Sequence, residues 1–456
     1  MNKIGVSASV RVLVVALFSF LAIILISFFK VALEWEDAEQ AFYSQWFRLG
    51  YDDQPPLYTW LQICINKILG LNRFSLVGFR AFIFSATLFI MYKFAYKVHK
   101  NENLAVLSVL LLFLIPVFID FNFRRLTHTS LMCLFSLSLY YVFFLLMENK
   151  SLRNYILLGL IIGGGLLTKY NFALIIPTFL IIPFFDAEAK QIVWNRYFFI
   201  SIGVAGLLVS PHLYWLFDNT QYVSELKMSM AHKTKSVANH TVFSSLWAYL
   251  KSFIQLSILL FLVFAVAFFR RGIQLKQQKW NSLSKLFIIQ FVIASVVFVS
   301  IGSSKVSERW LLPIFLPFLV LLFSFFQFKK ITVWIKWSFR LFVVVLIVQL
   351  VRTPVEKMLK IDSSVHHSFE PIALKLDAFS KKQWVLPDVT YAGSVKFERT
   401  KKMVFSSDDF TLPKTVIDSS NAIFVQKEKD ANLEIIDSLI GFGEAKEALY
   451  FGVKKK

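Results

Sequence analysis

Six carboxylates, Glu34, Glu36, Asp37, Glu39, Asp52 and Asp53, fall within twenty residues of a chain that is otherwise poor in charge. They lie among Trp35, Phe42, Tyr43, Trp46, Tyr51, Tyr58 and Trp60, directly after the first long apolar run. Acid groups gathered with aromatics where a chain leaves a membrane point to a reaction centre at the bilayer surface. Asp37 opens the helical-looking run AEQAFYSQWF. As a plain N-cap its carboxylate would accept hydrogen bonds from the free amides of the first turn. As a general base it would take a proton from an acceptor hydroxyl. One carboxylate and an in-line leaving group suffice for an inverting displacement; Glu36 and Glu39 are the neighbouring candidates. In GYDDQPPLYTW, Pro55 and Pro56 fix two φ angles, remove two amide donors and push Gln54 towards an extended shape. That corner is expected to aim Asp53 and Gln54 in one direction, while Leu57 to Leu69 returns along the membrane surface as an amphipathic helix.

A membrane-embedded scaffold must position these groups. Of 456 residues 57% are hydrophobic, 51 are Phe, and the mean hydropathy is +0.61. Long apolar runs separated by short basic segments exclude a soluble fold. The net charge of +20 would suggest nucleic acid in a soluble chain. Here much of the Lys and Arg lies in short loops between spans, as the bias of cytoplasmic loops towards positive charge requires, and no nucleic-acid partner is expected. With only Cys64 and Cys133 there is neither a disulfide framework nor a cysteine metal site. The run from Val12 to Phe29 lacks a cleavage pattern and reads as a retained span.

Apolar windows give about eleven transmembrane helices: 11–33, 77–97, 104–119, 130–147, 154–168, 171–185, 197–216, 247–269, 286–302, 309–328 and 339–353. The basic loops around Lys97, Arg153, Lys190, Arg270 and Lys330 share one face, which is cytoplasmic. The acidic loop (34–76) and residues 217–246 then face outward, and an odd number of spans puts the tail outside as well. The expected division is a transmembrane catalytic domain over 1–353 and a small extracytoplasmic α/β domain over 354–456. In the tail, strands are expected at Gln383–Pro387, Lys402–Phe405, Ala422–Gln426 and Leu449–Val453, and helices at Glu370–Ser380 and Leu433–Leu439. Residues 217–246, with Lys227, Met228, Met230, Lys233 and Lys235, read either as a flap drawn to anionic lipid or as a solvated loop.

DAEQAFYSQWFRLGYDDQPPLYTWLQ, followed much later by GLLTKYNFALIIP, resembles the bacterial branch of the GT-C glycosyltransferases. These are relatives of the dolichyl-phosphate-mannose protein mannosyltransferases and of the lipid A aminoarabinose and galacturonic acid transferases. The landmarks run over the first 350 residues: an acid after the first span, Gly-Tyr-x-Asp-x-Pro-Pro, Lys-Tyr after the fifth span and an Arg-bearing outward turn late in the bundle. The resemblance implies a GT-C-like fold, a polyprenyl-phosphate sugar as donor, and transfer on the non-cytoplasmic face. It implies that Asp37 matches the first-loop catalytic carboxylate and Asp53 the acid ahead of Pro-Pro. Gln54 stands where the aminoarabinose branch has Lys and other relatives often have His. Relatives also usually carry an Asp near His128, which this chain lacks.

A polyprenyl phosphate leaves with negative charge, so cations are needed. Lys169, with Tyr170, ends the fifth span; it is either an interfacial snorkeller or a point-charge contact to phosphate. Arg309 suits bidentate phosphate contact and is favoured over Lys305. Arg124 and Arg125 lie in the outward turn at 120–131, and Gln54 and Glu39 complete the substrate-binding set. His128, His212 and the adjacent His366 and His367 have no chelating spacing, so no metal and no cofactor is assigned; dependence on a divalent cation stays open. The resemblance, with these residues, implies an inverting polyprenyl-phosphate-sugar-dependent glycosyltransferase of the bacterial inner membrane. It would act on an envelope glycan or lipid of the lipopolysaccharide core or lipid A kind at the periplasmic face, with membrane lipid as a further partner. The alternatives are a transporter or flippase for lipid-linked sugars, against which the lack of an internal repeat counts mildly, and a degenerate relative with a structural role.

Overall fold

The computed structural model describes residues 7–52, 54–125, 127–224, 241–276, 281–361, 363–412, 414–443 and 446–455. Most of the segment expected to be a flap or loop, 225–240, and Asp53 lie outside them. The chain divides into two compact units. The first takes Met1–Phe20, Phe82–Asn122 and His128–Leu346, and the second Leu21–Ala81, Phe123–Thr127 and Ile347–Lys456.

Among the described residues, eight helices are long and apolar enough to cross a membrane: Ala8–Phe28, Arg73–His99, His128–Glu148, Phe198–Asp218, Val242–Phe269, Ser282–Ser300, Glu308–Phe325 and Ile331–Met358. Two bent pairs raise the number to ten, against about eleven expected. Glu102–Leu114 and Pro116–Arg124 meet at 75°, where Pro116 supplies no amide and starts a new helix. Tyr170–Phe184 and Ala187–Val193 meet at 117°; Asp186 restarts the chain by accepting hydrogen bonds from the amides of Glu188 and Ala189 at 3.1 and 3.2 Å. Leu152–Leu166 is apolar but only 15 residues long, roughly 22 Å at 1.5 Å per residue, short of the bilayer core.

The first unit is helical, with one small antiparallel pair, β1 (Ile273–Leu275) and β2 (Phe326–Phe328). Its interior is built from ring contacts. Tyr140 meets Phe179 and Phe318 edge-on at 4.9 and 5.2 Å between centroids, and Phe143 meets Phe179 at 4.8 Å. Leu152–Leu166 packs closely on Phe198–Asp218, since a Cβ on Gly159 would lie 2.6 Å from the carbonyl oxygen of Ser201. Small residues set such approaches between membrane helices.

The second unit holds a five-stranded sheet of β3 (Gln383–Leu386), β4 (Val404–Ser406), β5 (Ala422–Gln426), β6 (Leu433–Phe442) and β7 (Glu447–Lys454), in the order β4-β3-β5-β7-β6. β3 pairs parallel with β4 and β5; the other pairings are antiparallel. The helix expected over 433–439 is instead most of β6. LEIIDSL carries apolar residues at helical spacing, but pairing with β7, with bulges near Ile435 and Leu439, decides its conformation.

The first loop folds within this unit. Trp35–Tyr43 and Leu57–Leu69 are helices, the second as expected, ending at Gly70 with φ 75°. Phe42, Tyr43 and Tyr51 share an apolar core with Trp384, Val404 and Phe451. Helix Val389–Glu398 lies so close to Trp35–Tyr43 that a Cβ on Gly393 would sit 1.8 Å from the carbonyl oxygen of Ala38. The guanidinium of Arg73 donates to the carbonyls of Ser27 and Val31 at 2.7 and 3.1 Å, joining residues 46 and 42 positions apart. Val365 accepts from the amides of Val31 and Ala32 at 2.9 and 3.0 Å.

Candidate functional site

Asp37 is the third residue of its helix, inside the first turn, and it does not cap. The N-cap position belongs to Glu34, which makes no side-chain capping bond. Asp37 Oδ2 instead accepts from Arg80 Nη2 at 3.0 Å, with the Arg80 and Asp37 side chains 1% and 4% exposed. Arg80 comes from an otherwise apolar stretch of Arg73–His99, where a charge has to find a partner.

One turn earlier, Lys30 Nζ lies 2.5 Å from Glu34 Oε1. Arg124 reaches Glu34 at 3.5 Å and Glu356 at 3.4 Å, and Arg352 holds Glu356 at 2.9 Å. Glu36 Oε2 accepts from the amide and the hydroxyl of Thr127 at 2.7 and 2.9 Å, tying the segment 123–127 to the helix. Glu34, Glu36 and Asp37 therefore each have a named partner, and that of Asp37 is a cation rising from the second span.

Burial and charge push the two inner carboxyls apart. Burial raises Asp37 above the usual aspartate range, and this outweighs the opposing charges of Arg80 and Lys30. Burial pushes Glu34 upward as well, but the charge and hydrogen bond of Lys30, with Arg124, hold it below the ordinary glutamate value. Burial brings Lys30 down to about 8 against the pull of Glu34. Glu34 is thus a fixed anion, while Asp37 binds a proton more readily than a free aspartate. Environments that separate two carboxyls in this way can assign one of them as the base.

The other residues singled out by sequence fall in both units. In the second, Glu39 is half-buried on the Asp37 helix. Gln54 donates its amide to Tyr51 at 3.0 Å, closing the turn ahead of Pro55 and Pro56. Arg124 is engaged by two carboxylates, and Arg125 follows it half-buried. In the first unit, Lys169 Nζ donates to Thr129 Oγ1 at 2.7 Å. The Tyr170 hydroxyl hydrogen-bonds His212 Nε2 at 3.1 Å, and the rings of Tyr170, His212, Trp215 and Tyr222 stack in series. Arg309 is half-buried at the start of Glu308–Phe315, and among the described residues nothing hydrogen-bonds or ion-pairs with it. His128 hydrogen-bonds the Thr168 carbonyl through Nδ1 at 3.2 Å. Among the described residues no group of three or more His, Cys, Asp or Glu is placed to hold a metal ion.

Sequence reasoning passed over Arg80, Lys30 and Thr127. A signal existed for Arg80: a lone arginine in a span implies a buried counter-charge, and the nearest acids in the sequence are those of the first loop.

Residues 53–215 match the family model described as dolichyl-phosphate-mannose-protein mannosyltransferase. The chain is 31% identical over 313 residues to the lipopolysaccharide core galacturonosyltransferase RgtA of Rhizobium johnstonii, covering 67% of this chain and 62% of that protein. It is 30% identical over 293 residues to RgtB of the same organism, covering 62% and 58%. The chain thus spans about three-fifths of the length of these curated relatives. Its fold resembles that of ArnT from Cupriavidus metallidurans bound to undecaprenyl phosphate, with a TM-score of 0.66 over 97% of both chains at 11% identity. The apo form of ArnT gives 0.63 over 98% of both.

Proposed function

We propose that this chain, similar over about two thirds of its length to lipopolysaccharide core galacturonosyltransferases, moves a sugar from a polyprenyl phosphate to an envelope glycan or lipid. The acceptor is of the lipopolysaccharide core or lipid A class. Transfer takes place at the periplasmic face of the bacterial inner membrane, where the first loop and the domain over 354–456 lie. The observation that carries this reading is Asp37: a buried carboxylate, fixed by Arg80, not used as a helix cap, and raised in proton affinity by burial.

The acceptor hydroxyl gives its proton to Asp37 as its oxygen bonds to the anomeric carbon. The bond from that carbon to the phosphate oxygen breaks, the polyprenyl phosphate leaves with the electron pair, and the anomeric centre inverts. Arg80 is a positioning residue: it fixes the carboxylate, and its charge opposes the upward push of burial on the Asp37 carboxyl. In the helical unit, Arg309, whose guanidinium is unengaged among the described residues, and Lys169, which donates to Thr129 Oγ1, are the candidate cations for a donor phosphate. Stabilising the departing charge contributes as much to the rate as the base does. Asp53 lies outside the described residues and is kept as a supporting acid.

The deciding experiment gives membranes containing wild type or Asp37→Asn a radiolabelled polyprenyl-phosphate sugar. Wild type forms labelled glycolipid, and the variant loses roughly 10²–10⁴-fold in rate. A variant that transfers at the wild-type rate removes Asp37 as the base. Wild-type membranes that carry the donor between leaflets yet never transfer sugar make the chain a flippase instead.

A further inference from the structure

A second cavity of the sheet-bearing unit takes no part in the chemistry above. It has a volume of about 210 Å³ and is lined by Trp35, Phe369, Thr390, Tyr391, Ser394 and Lys427, among others. Its wall is aromatic: Phe369 meets Tyr391 and Phe442 edge-on, with centroids 5.2 Å apart in both cases. Its lip is Trp35, whose side chain is left 56% exposed, two residues before Asp37. Thr390, Tyr391 and Ser394 present one face of helix Val389–Glu398 to it.

Two polar features set its chemistry. Ser394 is 2% exposed, and among the described residues nothing hydrogen-bonds its hydroxyl. A buried hydroxyl without a partner costs stability, and rotation about χ1 can turn this one towards the cavity. Lys427 is held between Asp388 at 3.2 Å and Glu447 at 3.5 Å, over the Tyr391 ring, while the Tyr391 hydroxyl donates to Glu447 at 2.7 Å. The rim charges sum to minus one, which disfavours a phosphate. The larger cavity of the same unit, about 470 Å³ beside Asn66 and Lys396, has its main polar groups already bonded: Asn66 to Ser44, Gln45 to Phe42, and Lys396 to Lys402.

We infer that the Trp35–Tyr391–Ser394 cavity is a saccharide subsite holding one neutral sugar ring of the acceptor glycan. Aromatic faces receive the C–H side of a pyranose, and a few hydroxyl and charged groups orient its hydroxyls. The inference rests on the glycosyltransferase reading for the role of the sugar but not for its binding. Placed on the helix that carries Asp37, the subsite would select acceptors by a sugar other than the one that receives the transfer.

The test uses the full-length protein in detergent and saturation-transfer NMR with methyl α-glycosides of mannose, glucose and galactose. Inorganic phosphate serves as competitor. At least one glycoside gives a signal that phosphate does not displace. Trp35→Ala weakens its binding about tenfold and Ser394→Ala about fivefold. Ser394→Ala melts no lower than wild type, because the lost hydroxyl had no partner, and this separates lost binding from lost folding. Binding that is unchanged in both variants, absent in wild type or displaced by phosphate overturns the subsite. None of these outcomes bears on whether Asp37 supports transfer, which the radiolabel assay reads separately.

Discussion

Around helix Trp35–Tyr43 the groups withdrawn from water are charged and paired: Asp37 with Arg80, Glu34 with Lys30 and Arg124. Inside the helical unit many are neutral, as in Thr178 to Gln290 at 2.8 Å and the Ser201 hydroxyl to the Tyr155 carbonyl at 2.7 Å. A neutral contact in a low-dielectric interior costs little to desolvate and returns little. A buried ion pair costs several kcal/mol per ion to desolvate and survives only when its geometry is satisfied on both sides. The neutral contacts of the helical unit need only hold its helices together. At the turn of Asp37 the ion pair with Arg80 holds the carboxylate in one place, while burial raises its proton affinity.

Removing one partner from each kind of contact should expose the contrast. Arg80→Met leaves Asp37 buried without its cation and should cost about 3–5 kcal/mol in detergent unfolding; a loss under about 1 kcal/mol would put the pair on a level with the neutral contacts. The same variant bears on pH. As the proposed base Asp37 would have to be ionised, so transfer should fall as pH drops through its raised value, at less acid pH than an ordinary aspartate would give. Without Arg80 that acid limb should move to still higher pH, which a pH–rate profile of the residual activity reads directly.

Gly393→Ala tests whether packing sets the position of the carboxylate. The new methyl meets the backbone oxygen of Ala38, which cannot swing aside, so about 1–3 kcal/mol should be lost. Transfer should fall with it, although no charged group has changed. In the helical unit, Thr178→Val should cost only about 1.5 kcal/mol and leave the pH profile unmoved. Smallest of all, Glu148→Gln removes an exposed contact with Lys97 and Lys100 and should shift stability by less than about 1 kcal/mol.

The parts of the fold that could be read from sequence are those decided locally. Apolar run length located the spans, and the Pro55-Pro56 corner and amphipathic spacing located Leu57–Leu69. Contacts between distant segments were not legible. LEIIDSL reads as a helix until β7 pairs with it, and helix Val389–Glu398 gave no signal that it would lie against Ala38. Asp37 could be chosen because it stands in an acid and aromatic cluster after a span, but its N-cap alternative could be discarded only once it lay inside the first turn with Arg80 3.0 Å away. The same argument from charge in an apolar helix would have named Arg80 first.

The Arg73 guanidinium, clasping the carbonyls of Ser27 and Val31, draws the two feet of the first excursion together. The stretch between them is drawn in like a bag by its drawstring, with further ties at Glu36 and Asp37 inside it. A substitution that frees those carbonyls would loosen both feet at once, and with them the spacing on which the contacts of Asp37 with Arg80 and of Ala38 with Gly393 depend.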